Sequence, residues 1–192
     1  SGVATGVNAL ALDGESVSPG AWVRGRVRSN GIGPSAERRA TRRIVAAGCD
    51  SVAQHSGTPS PQLEAARSGV MGIGYSCDIA EHAPDAVLTS IVLKWSVYYT
   101  RLAQSIIDGT FTTRPYMGDL SDGIAVLTPL NARYADEAIE SAVAVARERI
   151  QNGSLRIFSG EMWTNDGMKV RSAVTDEDIL HRMDWYYRTV IE

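Results

Sequence analysis

The chain has 192 residues, 44% of them apolar, with a formal net charge of −3 and a pI of about 5.6. That length suits one ordinary domain or two small ones. The mildly acidic balance and the lack of a basic stripe argue against nucleic acid or an anionic membrane surface as a partner. No stretch approaches the roughly 20 apolar residues of a membrane span.

Val3, Val7, Leu10 and Leu12 predict a first helix ending near Gly14. No charged leader precedes its apolar part, so it does not read as a secretory signal. Residues 21–28 alternate apolar and polar side chains, as a strand does. A loop rich in Gly and Ser leads to Ser35, the expected N-cap of a helix over 36–47 that Gly48 stops. Glu37, Arg38, Arg39, Arg42 and Arg43 read as the solvated face of that helix. Short strands follow over 51–54, 70–75 and 86–93. The first two are separated by a helix opened by Pro59 and Pro61 and running through Arg67. A helix over 96–108 closes at Gly109. This alternation argues for an α/β fold with a doubly wound parallel sheet, built by right-handed crossovers.

From Gly109 the pattern changes. A short strand is expected over 123–128 and a periodic helix over 135–151, with Ile139, Ala142, Val143, Ala146 and Ile150 on one face. A strand is expected over 155–158. Asn165-Asp166-Gly167 predicts a hairpin turn inside 162–170. Thr175 with Asp178 resembles a capping box for a last helix through Tyr187. This tail lacks βαβ spacing and is expected to pack away from the main sheet. The domain reading is therefore 1–108 for an α/β lobe and 109–192 for a C-terminal crossover, helices and hairpin.

Cys49 precedes one strand and Cys77 follows the next. In parallel neighbours these positions lie at opposite ends of the sheet, beyond the roughly 7 Å a disulfide spans, so two free thiols are expected. No nucleophile elbow, phosphate loop or dinucleotide fingerprint is present. His55, His82 and His181 show no metal spacing. An enzyme is not expected, nor a cofactor.

Three strand ends carry polar or aromatic residues, and ligands of open α/β sheets bind at the carboxyl ends of the strands. The first end holds Gln54, His55, Ser56 and, just beyond, Thr58. The second holds Tyr75, Ser76 and Asp78, and the third Lys94 and Trp95. Asp78 either accepts two hydrogen bonds from vicinal hydroxyls or ring N–H groups of a ligand, or caps the next short turn. Trp95, read as the end of the strongest strand, either stacks on a flat ligand or packs in the core. His55 either orients a group at the strand tip or is a hydrogen-bonded structural histidine.

The stretch GCDSVAQHSGTPSPQLEAARSGVMGIGYSCDIAEHAPDAVLTSIVLKWSVYY resembles the second-lobe core of the basic membrane protein (BMP, PnrA-like) family, the substrate-binding lipoproteins of bacterial ABC transporters. The segments DGTF, SDGIAVLTPLN, ERIQNGSLRIFSG, NDGMKVR and TDEDILHRMDWYYRTV resemble its C-terminal region. The resemblance implies a type I periplasmic-binding fold of two lobes. It implies a purine nucleoside or nucleobase held between the lobes and delivered to permease subunits, in the periplasm or as a cell-surface lipoprotein. Asp78 matches the family's ligand-binding carboxylate, and Trp95 matches the tryptophan of the subgroup most like this chain. Lys94 is the nearest match to a family lysine, where that subgroup carries asparagine. Gly31-Ile32-Gly33-Pro34 and Gly57 stand where relatives carry aromatic or acidic residues. The first lobe of such proteins precedes the position of Ser1, so the chain is expected to be a C-terminal part whose hairpin and last helices pack with a missing N-terminal lobe. Weak or no binding by this part alone is expected. The alternative is a ligand-sensing regulatory domain of the same fold.

Overall fold

Glycine-stopped helices alternate with short apolar strands through the middle of the chain, and the computed structural model arranges them as one layered α/β unit. The structure describes residues 2–25, 33–170, 174, 179 and 183–191. Contacts divide it into two compact units, Ser1–Gly31 with Arg156–Glu192, and Ile32–Leu155. These breaks differ from the sequence-expected boundary between 108 and 109.

The larger unit holds α2 (Pro34–Ala46), β2 (Ser51–Ala53), α3 (Ser60–Arg67), β3 (Met71–Ser76), a 3₁₀ turn (Ile79–Glu81), β4 (Val87–Leu93), α4 (Trp95–Ile107), β5 (Ala125–Leu127) and α5 (Glu137–Gln151). Its sheet has the order β2-β3-β4-β5. β2, β3 and β4 are parallel, with Ala53 beside Ile73 and Ser76 beside Val92. β5 pairs antiparallel with β4, Leu93 facing Ala125. The expectation that residues after 109 leave the main sheet is thus corrected for residues 125–127; the hairpin expected within 162–170 is not part of this sheet. The connection from β4 to β5 runs through α4 and a long loop, and an antiparallel return gives no βαβ spacing to read.

α2 and α3 pack on each other and on β2 and β3. Ile79, Ala83 and Val87 form a buried cluster with Leu63 and Ala80 against it. Gln62 of α3 is fully buried and bridges two strands, its Nε2 donating to the carbonyls of Val52 (3.0 Å) and Ile73 (3.1 Å). Gly72 lies directly beneath it, and a Cβ there would overlap Gln62 Oε1 and crowd the Val52 carbonyl. Gly33 rather than Ser35 is the N-cap of α2, with Pro34 at the first helical position. Asp136 caps α5 by accepting from the Ile139 amide at 2.9 Å. Neither α4 nor α5 contains a buried residue.

The smaller unit holds α1 (Gly2–Val17), β1 (Val23–Arg24), β6 (Met162–Trp163), β7 (Lys169–Val170) and β8 (Val190–Ile191). α1 continues past Gly14. β1 and β8 are parallel, and β6 and β7 form the expected hairpin. Gly167 has φ +86°, the left-handed conformation that its turn requires. Ala11, Met162, Tyr187 and Val190 make the core. Asn8 is fully buried on α1. It donates to the Trp185 carbonyl (2.9 Å) and accepts from the Tyr187 amide (2.8 Å), so it satisfies the backbone of an irregular segment much as a neighbouring strand would. Residues 155–158 are not a strand; Ile179 is helical, but 183–186 form neither helix nor strand, and Tyr187 lies in an isolated bridge to Thr164. The proposed capping residues Thr175 and Asp178 lie outside the described residues, as does His181. No disulfide joins Cys49 and Cys77.

Candidate ligand-binding site

Because β2, β3 and β4 run parallel, their carboxyl ends share one edge of the sheet. At the tip of β2 the Gln54 amide donates to the Ile73 carbonyl at 3.3 Å, extending the pairing by one residue. The chain then turns back on itself. Gln54 Nε2 donates to the carbonyls of Ser56 (2.6 Å) and Thr58 (2.8 Å), which fixes the turn around its own side chain. Gln54 Oε1 and Ser56 Oγ are buried and have no hydrogen-bond partner in the structure. A buried polar atom left unpaired is costly, so both are candidates for contact with a ligand or an ordered water.

Thr58 is buried. Its hydroxyl donates to Glu37 Oε2 and accepts from the Ser60 amide at 3.2 Å, where α3 begins. Glu37 is only 6% exposed. Its other carboxylate oxygen accepts from the Gly33 amide at 3.2 Å. The sequence reading of Glu37 as part of a solvated charged face is therefore corrected. Its place in the first turn of α2 suits a carboxylate, since amide dipoles point there, but no local pattern reveals a partner 21 residues away. Arg42 of the same helix does face outward and pairs with the buried Glu64 at 2.8 Å. That hydrogen bond holds the Glu64 carboxyl below its ordinary range, against the opposing effect of burial.

His55 is exposed and stacks on Tyr75 of β3, with ring centroids 4.3 Å apart and planes at 25°. Ser76 ends β3 with φ +75°, a left-handed conformation in a residue with a Cβ. Such strain concentrates where structure is needed for function. Asp78 N-caps the 3₁₀ turn, its Oδ1 accepting from the Ala80 amide at 3.0 Å. The turn is tied to β4 by the Ile79 amide donating to Ser90 Oγ at 3.0 Å. Of the two readings of Asp78, the cap is present; it engages Oδ1.

Trp95 does not end β4. Lys94 is the N-cap of α4 and Trp95 its first residue, because the Lys94 amide donates to the Ile124 carbonyl (2.7 Å) and the chain turns helical there. The indole is 49% exposed and meets Tyr99 at 6.3 Å in a tilted contact. The aromatic contacts continue from Tyr99 through Tyr98 to Tyr116. The structure thus unites Gln54, Ser56 and Thr58 in one bonded turn and His55 with Tyr75 in one stack. Trp95 belongs to a separate aromatic row. Among the described residues no group of three metal-ligating side chains converges.

No protein-family model matches the chain. It is 26% identical over 186 residues to a purine-binding protein of Brucella abortus (strain 2308), a match covering 96% of this chain and 53% of that protein. It is 25% identical over 164 residues to a Haloferax volcanii protein named for ABC transporter glucose binding, covering 85% of this chain and 42% of that one. The chain therefore spans about half the length of the curated relatives it matches. Among solved structures it superposes on an ABC transporter solute-binding protein from Conexibacter woesei with a TM-score of 0.59 at 22% identity, over 74% of this chain and 48% of that one. A transcriptional activator of the comK gene from Bacillus halodurans gives a TM-score of 0.65 at 16% identity, over 81% and 64%. Identities this low speak to the fold alone, which is of the periplasmic-binding kind.

Proposed function

We propose, on the premise that sequence relatives and fold support a BMP-like substrate-binding family, that this chain supplies one wall of a solute-binding cleft of an ABC transporter. The solute is a purine nucleobase or nucleoside, released to the permease subunits on the extracytoplasmic side. Among the described residues no helix is long and apolar enough to cross a membrane. Gln54, His55, Ser56 and Thr58 form the polar end of the wall, Tyr75, Ser76 and Asp78 its middle, and Trp95 its stacking edge. Gln54 Oε1 is able to accept and Ser56 Oγ to donate or accept, although both atoms are buried as the turn stands. The Trp95 indole offers a flat face to a purine ring.

One observation carries this reading: two buried, unpaired polar atoms sit at the shared carboxyl edge of three parallel strands, where ligands of open α/β sheets bind. The purine class is supported by the name of the Brucella relative, whose match runs over nearly all of this chain. A regulatory domain uses the same fold, as the Bacillus halodurans structure illustrates, and fold likeness does not choose between the two.

A wall alone leaves a ligand half in water, and affinity falls with the surface it fails to bury. Calorimetric titration of the 192-residue chain with adenine, adenosine, guanosine and glucose is expected to give purine binding weaker than about 1 μM, roughly −8 kcal/mol. Preference for glucose would remove the purine assignment. Submicromolar purine binding would show that the wall is a sufficient site.

A further inference from the structure

The turn that carries the unpaired Gln54 and Ser56 atoms has an anchor outside itself. Three hydrogen bonds shape it from within or at its exit: Gln54 Nε2 to two carbonyls, and the Ser60 amide to Thr58 Oγ1. The Thr58 hydroxyl has one hydrogen to donate, and it goes to Glu37 Oε2 on α2. Glu37 is itself held by its second oxygen, which accepts from the Gly33 amide at the N-cap of α2. Both residues are buried, so water does not readily replace either partner.

We infer that Glu37 is a positioning residue for the candidate site: through Thr58 it holds the Gln54–Ser60 turn, and with it the buried Gln54 Oε1 and Ser56 Oγ, in place at the tip of β2. This inference rests on reading the strand tips as a ligand site. The physical case is preorganisation. A turn fixed before binding does not lose its conformational freedom at the moment of binding. A carboxylate suits the task because it accepts from two donors at once, the Thr58 hydroxyl and the Gly33 amide, in the first turn of a helix where negative charge is favoured. Alanine removes both acceptors, from the buried Thr58 hydroxyl and from the Gly33 amide. Glutamine keeps an acceptor oxygen for the hydroxyl.

Hydrogen exchange on the full 192-residue chain, compared among wild type, Glu37→Ala, Glu37→Gln and Thr58→Val, tests this without any ligand. Glu37→Ala is expected to speed exchange across Gln54–Ser60 by about tenfold while β3 and β4 amides keep their protection. Glu37→Gln is expected to stay within about threefold of wild type, and Thr58→Val to reproduce the alanine effect in the same turn. Thr58→Val also stands in if the alanine variant does not fold. An unchanged turn overturns the inference. So does loss of protection in the turn and in β3 and β4 by equal factors, or a glutamine variant as damaged as the alanine one. Adenine titration of the same proteins is scored separately. A wild-type chain that ignores adenine bears on the solute and leaves the exchange result to decide the role of Glu37. If it binds, Glu37→Ala is expected to weaken adenine about tenfold.

Discussion

The imidazole of His55 lies on the phenol ring of Tyr75, 4.3 Å between centroids, and so joins the tips of two parallel strands by a contact outside the backbone ladder. Such aromatic pairs contribute about 0.5–1.5 kcal/mol beyond the area they bury. A double-mutant cycle with His55→Ala and Tyr75→Ala, read by chemical unfolding, should return a coupling in that range. Additive losses within about 0.3 kcal/mol would mean that the rings do not interact in solution.

Gly72 and Gln62 form a steric lock. Gly72→Ala puts a methyl group where Gln62 Oε1 sits and displaces an amide that bonds two strands. The expected loss is about 3 kcal/mol, from overpacking together with broken buried hydrogen bonds. Adding Gln62→Ala should cost less than the sum of the two single changes, because the obstacle is gone. The Val52 carbonyl still crowds the new methyl group, so recovery is expected to be partial. Thermal or urea unfolding of the four proteins decides it.

Ser76 pays a backbone strain that glycine would not. At φ +75° a residue with a Cβ carries about 1–2 kcal/mol of strain, partly offset in a glycine variant by the freer unfolded chain. Ser76→Gly should therefore stabilise by about 0.5–1 kcal/mol, and Ser76→Val should destabilise by more than that. A destabilising Ser76→Gly would show that the hydroxyl, not the backbone, governs this position.

Asn8 serves the smaller unit as a strand edge would. Asn8→Leu leaves the Trp185 carbonyl and the Tyr187 amide without their partners, at an expected cost of about 2–4 kcal/mol. Asn8→Asp keeps the acceptor for Tyr187 and loses the donor to Trp185, and should fall between wild type and leucine. Equilibrium unfolding followed by tryptophan fluorescence gives the order directly.

Acid sensitivity follows from two carboxylates. Glu15 is held below its ordinary range first by its hydrogen bond with Arg188 and then by that with Tyr187, and Glu64 chiefly by Arg42. A carboxyl depressed in the folded state adds stability that is fully present above its unfolded pKa of about 4.3. That stability drains away as pH falls through the folded value. The unfolding midpoint should be level in this respect from pH 6 to 8 and decline below about pH 4.5. Glu15→Gln and Glu64→Gln should each flatten the decline. Glu64 is the more enclosed of the two, and its replacement should remove the larger part. A decline unchanged in both variants would assign acid sensitivity to other groups.

Local chemistry was enough to read much of this protein. The alternation of glycine-stopped helices with apolar runs implied the parallel strands β2, β3 and β4. The Asn165-Asp166-Gly167 turn implied the β6–β7 hairpin, and polar residues after each strand marked the edge where the candidate site lies. These features depend on periods of two and 3.6 residues and on backbone conformations, which neighbours in sequence settle among themselves. Tertiary structure decided the rest. It placed β5 antiparallel on the main sheet, began α4 at Trp95, bonded Asn8 to the backbone of Trp185 and Tyr187, and buried Glu37 against Thr58. Each of those outcomes joins residues far apart in the chain. Which polar group is buried, and what it bonds there, depends on packing that no local pattern encodes.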